Sequence, residues 1–168
     1  FVWPSRGGAA GSVSDLPHSG ATPVGSPSSA PPEAPYPLAI LILARDESDV
    51  LGETLTRVRL SAAACDEIHV VADHCRDRTA AVAREQGAIV HVRSGQTTLG
   101  KGAAIQWWLD RTRGDPRKPP AVVVLDADTL AEPGALGLLR RRLRGGASAV
   151  QARVRPLLRS GTVVGRIA

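Results

Sequence analysis

The sequence is short of several residue types, and each shortage narrows what the chain can be. Among its 168 residues there is no methionine, only two cysteines and 3% aromatic residues. With so few aromatic side chains, a buried core has to be built from Val, Ile, Leu and Ala, which are plentiful because 43% of the residues are hydrophobic. Because not even an initiating methionine is present, we expect the chain to be a piece of a longer protein, cut at both ends.

Long apolar runs are also missing. No stretch of about 18 uncharged apolar residues occurs, so no segment is predicted to span a membrane. Residues 1–36 lack the basic start and apolar run of a secretory signal. The two cysteines, Cys65 and Cys75, have neither metal-ligand spacing nor enough company for a disulfide framework, which predicts reduced thiols and a cytoplasmic protein.

Positive charge exceeds negative charge by five. Much of the excess lies late in the chain, at Arg140, Arg141, Arg142, Arg144, Arg153, Arg155, Arg159 and Arg166. A basic surface favours anionic partners such as nucleotide phosphates, nucleic acid or acidic lipid, while a solvated, arginine-rich helix face is the simpler explanation. Since aromatic residues are not interleaved with these charges, we expect no nucleic-acid partner.

Composition divides the chain near residue 37. Residues 1–36 are a mixture of Pro, Gly, Ser and Ala without periodic apolar residues, which predicts a disordered leader. From residue 37 to residue 168, strand and helix patterns alternate with short connections. Strands are predicted at 38–43, 67–72, 88–92, 121–125 and 147–154, and helices at 48–58, 79–86, 101–112 and 133–144.

This alternation predicts an α/β fold of Rossmann-like βα units around a largely parallel sheet. In such sheets a ligand binds at the carboxyl ends of the strands, near the point where strand order reverses. The loops to inspect are therefore 44–48, 73–79, 93–101 and 126–130.

Those loops carry residues suited to a nucleotide and a metal ion. Asp126 and Asp128 follow a buried strand, where both carboxylates leave the same sheet end and suit Mg²⁺ or Mn²⁺ bridging to a diphosphate. Lys101, at the start of a helix, adds a positive charge for phosphate. The nearby Asp73, taken alone, is a loop or cap residue.

Residues near these loops also have structural explanations. Asp46 or Ser48 is expected to cap the first helix, and Asp77 with Thr79 to cap the second. His74, beside Asp73, is the one histidine in a candidate site. His69 and His91 are expected on a surface or in packing, and Trp107 and Trp108 are expected to pack the third helix against the sheet.

A different interpretation starts from GQTTLGKG at 95–102. This segment nearly matches a P-loop, and with Asp126 it would make a P-loop-like NTPase. Gly102, however, stands where the loop needs the Ser or Thr hydroxyl for magnesium. The P-loop also leaves Asp73 and Asp128 without a role.

Four segments together resemble the family 2 glycosyltransferases, which are inverting enzymes with the GT-A fold. They are LAILILARDES, DEIHVVADHCRDRTAAVAREQGA, GKGAAI and VVVLDADT, in this order and at these distances. The similarity runs from Pro37 to Arg155. It implies a domain at 37–168 that binds a nucleotide-sugar donor but lacks the acceptor half.

The resemblance implies a role for each matched residue. Ala44, Arg45 and Glu47 match the loop that lines the donor base, Asp73 matches the acid that contacts a uracil-like base, and Lys101 matches the lysine near the phosphates. Asp126 and Asp128 match the D-x-D motif, whose first Asp faces the ribose and phosphates and whose second binds the metal. Ala72, His74 and Cys75 depart from the commonest form of the family motif.

The implied reaction is metal-dependent transfer of a sugar, with inversion, from a nucleotide diphosphate such as UDP to an acceptor hydroxyl. The acceptor is not identified, and the catalytic base is expected beyond Ala168. The resemblance also leaves room for membrane association through segments outside this chain. A P-loop-like NTPase and a non-catalytic fragment are the alternatives, while a sugar nucleotidyltransferase would need a glycine-rich loop where ARDES stands.

Overall fold

The computed structural model describes residues 2–4, 36–95 and 97–155. Its strands are β1 (Val2–Pro4), β2 (Leu38–Ala44), β3 (Glu67–Asp73), β4 (Ile89–Arg93) and β5 (Ala121–Asp126). Its helices are α1 (Ser48–Ser61), α2 (Thr79–Glu85), α3 (Lys101–Arg111) and α4 (Ala135–Arg144). The four predicted βα units from residue 38 onward are therefore confirmed, with small differences at their ends.

The strands form one sheet in the order β1-β5-β2-β3-β4. Strands β5, β2, β3 and β4 are parallel to their neighbours, and β1 is antiparallel to β5. Chain order reverses beside β2, because β3 lies on one side of it and β5 on the other. The sheet therefore has its switch point between β2 and β5, where an α/β fold places its ligand.

Helices cover both faces of the sheet. On one face α1, α2 and α4 pack their apolar residues, including Leu51, Leu55 and Leu139, against alternate residues of the strands. On the other face α3 packs Ala104 and Trp108. All seven residues of β2 are buried, which explains why its sequence is an unbroken apolar run instead of an alternating one.

Two predictions about the ends of the chain, and one about the start of a helix, differ from the structure. Val2–Pro4, inside the predicted disordered leader, pairs with β5 as an edge strand, while residues 5–35 lie outside the described residues. The strand predicted at 147–154 is absent: only Val150 makes an isolated bridge. Val154 is 74% exposed, so the alternating apolar residues of this segment do not form a strand face that packs on the sheet. Helix α4 begins at Ala135, after Gly134 in a left-handed conformation, and not at Pro133.

The arginine-rich α4 is only partly a solvated face. Arg140 turns inward and forms an ion pair with Asp66, whose side chain is completely buried, at 2.5 Å. The same carboxylate accepts the backbone N–H groups of Leu38 and Ala63, so it ties α4 to the start of β2. Among the described residues, no helix is long and apolar enough to cross a membrane.

Beneath α3, two histidines pack against a tryptophan. The rings of His69 and His91 stack with centroids 5.3 Å apart, and Trp108 Nε1 donates a hydrogen bond to His91 Nε2 at 3.2 Å. The prediction that these histidines pack is confirmed, although His69 is 6% exposed and is not a surface residue. Burial lowers the pKa of both, more than the Glu67 carboxylate raises that of His69.

This cluster makes the fold less stable at mildly acidic pH. Because the folded-state pKa of His69 and His91 is lowered, only the unfolded chain takes up protons just below the ordinary histidine pKa of about 6.5. The stabilisation from the two neutral histidines is therefore fully present above that pH, and the free energy of unfolding decreases as the pH is lowered through it. We expect it to fall by about 1 kcal/mol per histidine between about pH 7.5 and about pH 5.5, measured by urea denaturation. An equally steep fall in His69→Gln/His91→Gln would contradict this origin.

Candidate functional site

The carboxyl ends of the four parallel strands meet along one edge of the sheet. In register, Leu43 lies opposite Asp126, Ala44 opposite Ala72, and Asp73 opposite Arg93. The loops predicted to carry the site therefore leave the sheet side by side.

The loop after β2 is joined to the loop after β3 by hydrogen bonds. The backbone N–H of Ser48 donates to Asp77 Oδ2 at 3.0 Å, and that of Glu47 donates to Thr79 Oγ1 at 2.8 Å. Asp77 Oδ1 also accepts the N–H of Thr79, the first residue of α2. The N-cap of α2 is Arg78, however, and its side chain forms no cap bond, so the cap predicted at Asp77 and Thr79 is not at the N-cap position. Helix α1 has no side-chain cap of its own, contrary to the expected cap by Asp46 or Ser48, because Asp77 from the neighbouring loop takes that place.

Asp46, Cys75 and Asp77 lie close enough to be considered as metal ligands, but each has another explanation. Asp46 accepts the backbone N–H of Arg76 at 2.6 Å. Hydrogen bonds from the Thr79 hydroxyl and from backbone N–H groups hold the pKa of Asp77 well below its usual range. Burial raises the pKa of the Cys75 thiol, which points to the carbonyl of Ala44. The cluster therefore serves to join two loops.

Asp73 ends β3 as a buried carboxylate with two donors. Arg93 donates to its Oδ1 at 2.6 Å, and His74 Nδ1 lies 2.7 Å from the same oxygen. Burial by itself would raise the pKa of Asp73, but the hydrogen bonds and charges of Arg93 and His74 outweigh it, so that the pKa lies below its ordinary value. Asp73 is therefore ionised at neutral pH.

Lys101 connects the loop after β4 to the end of β5. Gly100 caps α3 with φ of 101°, a backbone conformation that favours glycine, and Lys101 is the first residue of the helix. Its Nζ lies 2.5 Å from Asp126 Oδ1, and both side chains keep about half of their surface exposed, at 57% and 46%. An accessible cation therefore stands beside an accessible carboxylate.

The segment 126–128 carries the D-x-D pattern on a turn that is fixed from below. Ala127 is buried, and its carbonyl accepts a hydrogen bond of 2.6 Å from Thr54 Oγ1 of α1. Asp128 is exposed. With Ala127 fixed in the core, Asp126 and Asp128 are left accessible on either side of it. Oxygen donors of this kind suit Mg²⁺ or Mn²⁺.

A sequence model of the family described as Glycosyl transferase family 2 matches residues 39–160. The match covers most of the chain, including all four loops. The chain belongs to glycosyltransferase family 2. No curated protein is significantly similar to it.

Solved glycosyltransferases are similar to part of the chain at low identity. The mannosyltransferase PcManGT from Pyrobaculum calidifontis, in complex with GDP-Man and Mn²⁺, is 17% identical with a TM-score of 0.49, over 64% of this chain and 31% of that one. Glucosyl-3-phosphoglycerate synthase from Mycobacterium tuberculosis, in complex with Mn²⁺, uridine diphosphate and glucosyl-3-phosphoglycerate, is 23% identical with a TM-score of 0.48, over 60% and 37%. The chain therefore spans about a third of the length of these enzymes.

The residues matched to the family motifs lie at one edge of the sheet but do not form one contact network. Lys101 and Asp126 touch, and Asp73 lies at the end of β3 with its own partners. Ala44 is buried and Arg45 is exposed on the loop after β2. Glu47 precedes α1 and contributes its backbone N–H to the bond with Thr79. Trp108 packs under α3 as predicted, while Trp107 is half-buried.

A groove of about 500 Å³ lies beside this edge, between the loop 93–98 and α3. It is lined by Arg93, Gly95, Thr97, Thr98, Ala103, Gln106, Trp107 and Asp110. Ala103 of the GKGAAI segment lines it, but none of the residues to which the resemblance gives a role does, and neither Asp126 nor Asp128 is among its lining residues.

The sequence patterns did not single out Thr54 or Arg93. Thr54 is a polar residue on the buried face of α1, where Leu51, Leu55 and Val58 are apolar, and that interruption of the pattern is a usable signal. Arg93 ends a strand that borders the groove, and nothing in its neighbours indicates that it is 2% exposed.

The Thr54 hydroxyl can be tested with an isosteric change. Thr54→Val leaves the buried carbonyl of Ala127 without a donor, so we expect a loss of about 1–3 kcal/mol in the free energy of unfolding, measured by urea denaturation. Thr56→Val is the matched control, because Thr56 is exposed on the same helix and its hydroxyl donates to the carbonyl of Gly52 within that helix. Equal losses in the two variants would show that the bond to Ala127 is not the cause.

Proposed function

We propose that this chain is the donor-binding part of an inverting glycosyltransferase that transfers a sugar from a nucleotide diphosphate, such as a UDP-sugar, to an acceptor hydroxyl. Membership of the family supports the class of reaction. The observation that carries the proposal is the pairing of Lys101 with Asp126 at 2.5 Å, beside Asp128. A cation from the loop after β4 and two accessible carboxylates on the segment after β5 lie at the edge of the sheet to which the family resemblance assigns the donor diphosphate.

Lys101 is suited to hold the diphosphate. Its ammonium group now shares its charge with Asp126, and more than half of the side chain is exposed. A diphosphate carries more negative charge than one carboxylate, so it can compete with Asp126 for the Lys101 ammonium group. Because the Lys101 side chain is exposed, this exchange of partners needs little rearrangement. Charge that builds on the leaving diphosphate is then stabilised by a group already in place, which lowers the barrier to transfer.

Asp126 and Asp128 are the residues that would hold Mg²⁺ or Mn²⁺. Both offer hard oxygen ligands and neither is buried, and the bond from Thr54 to Ala127 fixes the turn between them. A bound divalent ion would supply Lewis-acid stabilisation of the diphosphate. Ala44, Arg45, Glu47 and Asp73, on the first two loops, are left to contact the nucleoside.

The acceptor site and the catalytic base are proposed to come from parts of the protein outside this chain. We therefore expect the isolated chain to bind a nucleotide but not to transfer a sugar. A location at the cytoplasmic side of a membrane stays a prediction of the family resemblance.

The proposal is tested by calorimetric titration of the chain with UDP, GDP and ATP, each with and without Mn²⁺. We expect UDP or GDP to bind in a manganese-dependent way. Asp128→Asn removes a direct metal ligand, so the manganese-dependent affinity should fall by about a hundredfold. Asp110→Asn is the control, since Asp110 is an exposed carboxylate on α3 that pairs with Arg113 away from the D-x-D turn.

The other outcomes have distinct meanings. Preference for ATP would favour the P-loop interpretation of residues 95–102. Absence of binding by folded protein would contradict donor binding by this chain alone. Measurable sugar transfer to an acceptor by the isolated chain would contradict the proposed absence of a base.

A further inference from the structure

Arg93 is the most unusual side chain near the proposed donor site. It is 2% exposed at the end of β4, and two of its guanidinium nitrogens are committed: NH1 to Asp73 Oδ1 at 2.6 Å, and NH2 to the backbone carbonyl of Thr98. Its Nε is completely buried and has no hydrogen-bond partner among the described residues. A buried donor without an acceptor is costly, and a buried ion pair by itself is weak evidence of a stabilising role.

The geometry around Asp73 leaves one of its oxygens free. Both donors, from Arg93 and His74, converge on Oδ1. Oδ2 receives no hydrogen bond from residues 2–4, 36–95 or 97–155, and yet it is not among the completely buried unpaired atoms of that part of the chain. Oδ2 is therefore an oriented acceptor that is not completely buried, on a side chain that is 8% exposed.

Arg93 also fixes the surroundings of this carboxylate. It is the register partner of Asp73, and its backbone carbonyl accepts the N–H of His74 at 2.8 Å. Through Thr98 the same side chain holds the loop that leads to Lys101. The buried Arg93 thus connects Asp73, which is proposed to contact the nucleobase, with the loop that presents Lys101, which is proposed to contact the phosphates.

We propose that Arg93 is a positioning residue that makes the site selective for nucleobases with a ring N–H, namely uracil or guanine. This inference rests on the proposed donor-binding function. Arg93 occupies Oδ1 and leaves Oδ2 as an anionic acceptor. An ionised carboxylate accepts hydrogen bonds and donates none, so it pairs with uracil N3–H or guanine N1–H. Cytosine and adenine present a lone pair at the equivalent ring nitrogen and are rejected.

Charge supports the same assignment. The groups that face Asp73 are Arg93 from β4 and His74 from its own loop, and together they hold its pKa below the ordinary value. Without the guanidinium, burial would raise that pKa, and the carboxyl group would become protonated at a higher pH. A protonated Asp73 donates a hydrogen bond, which suits cytosine N3 and no longer suits uracil.

The test compares the affinities of UDP and CDP in the presence of Mn²⁺, by calorimetry from about pH 8 to about pH 5.5. The ratio of the two affinities cancels the titration of the diphosphate that they share. For the unaltered chain we expect UDP to be preferred by about ten- to a hundredfold, at a ratio that hardly changes with pH. GDP against ADP gives the same comparison for purines.

In Arg93→Met the ratio of the UDP affinity to the CDP affinity should fall as the pH is lowered, because Asp73 becomes protonated. The ratio should recover toward pH 8, where Asp73 is ionised again. His74 Nδ1 stays a donor in this variant, so Arg93→Met/His74→Ala should show the larger fall. Arg93→Lys keeps a charge but cannot reach both Asp73 and Thr98, and should lose part of the preference at every pH. Arg113→Met, which removes an exposed arginine paired with Asp110, should leave the ratio unchanged.

A merely structural Arg93 would lower the melting temperature and both affinities together, leaving the ratio and its pH dependence as they were. That result in folded Arg93→Lys, or in Arg93→Met, overturns the inference. If the unaltered chain binds UDP and GDP no better than CDP and ADP, the inference fails while donor binding stands. If it binds no nucleotide, the proposed function fails, and the inference fails with it.

Discussion

The complete burial of β2 is the constraint on which the rest of the structure depends. Strands β3 and β5 hydrogen-bond to its two edges, and helices cover its two faces, so that neither backbone nor side chains reach solvent before residue 45. A strand held on four sides cannot slip by one residue without turning its side chains to the wrong face. Its register therefore fixes where the neighbouring strands end, and with them the height at which Asp73 and Asp126 leave the sheet.

From that edge, the loops are positioned by a few hydrogen bonds between elements far apart in sequence. Asp77 and Thr79 hold the loop after β2 against the loop after β3, while Thr54 holds the turn at Ala127. Arg93 joins the end of β3 to the loop before α3. Each of these bonds ends on a backbone group or on a partly buried carboxylate. The accessible charges of Lys101, Asp126 and Asp128 thus lie next to backbone groups, at Thr98 and Ala127, that accept side-chain hydrogen bonds from other elements.

The polar groups inside the fold divide into two kinds. Asp66 is completely buried, and its oxygens are satisfied by Arg140 and by two backbone N–H groups, as expected of a carboxylate that connects elements. Asp73 is nearly as buried but has its donors crowded on one oxygen, and its arginine carries an unsatisfied nitrogen. A buried polar group without a partner is uncommon in folded proteins and needs an explanation, and this contrast separates the two aspartates where burial alone does not.

Much of the fold was within reach of the sequence, because its signals are local. Apolar runs, helical spacing and breaker residues predicted the four βα units and the parallel sheet, and the order of the motifs identified the family. The same local signals failed where a partner far along the chain decides the outcome. Near residue 150 only Val150 makes an isolated bridge, so the predicted fifth strand does not form, whereas Val2–Pro4 pairs with the edge of β5.

The sequence by itself determined the fold class, the family and the set of residues at the carboxyl ends of the strands. It did so because strand direction in a βα repeat sends those ends to one edge whatever the details of packing. Only the tertiary structure decided that Asp77 caps a helix outside its own loop, that Lys101 touches Asp126, and that Arg93 is buried against Asp73. Such contacts depend on how neighbouring strands are placed in register, which is set by packing across the whole sheet and is not written in any one segment.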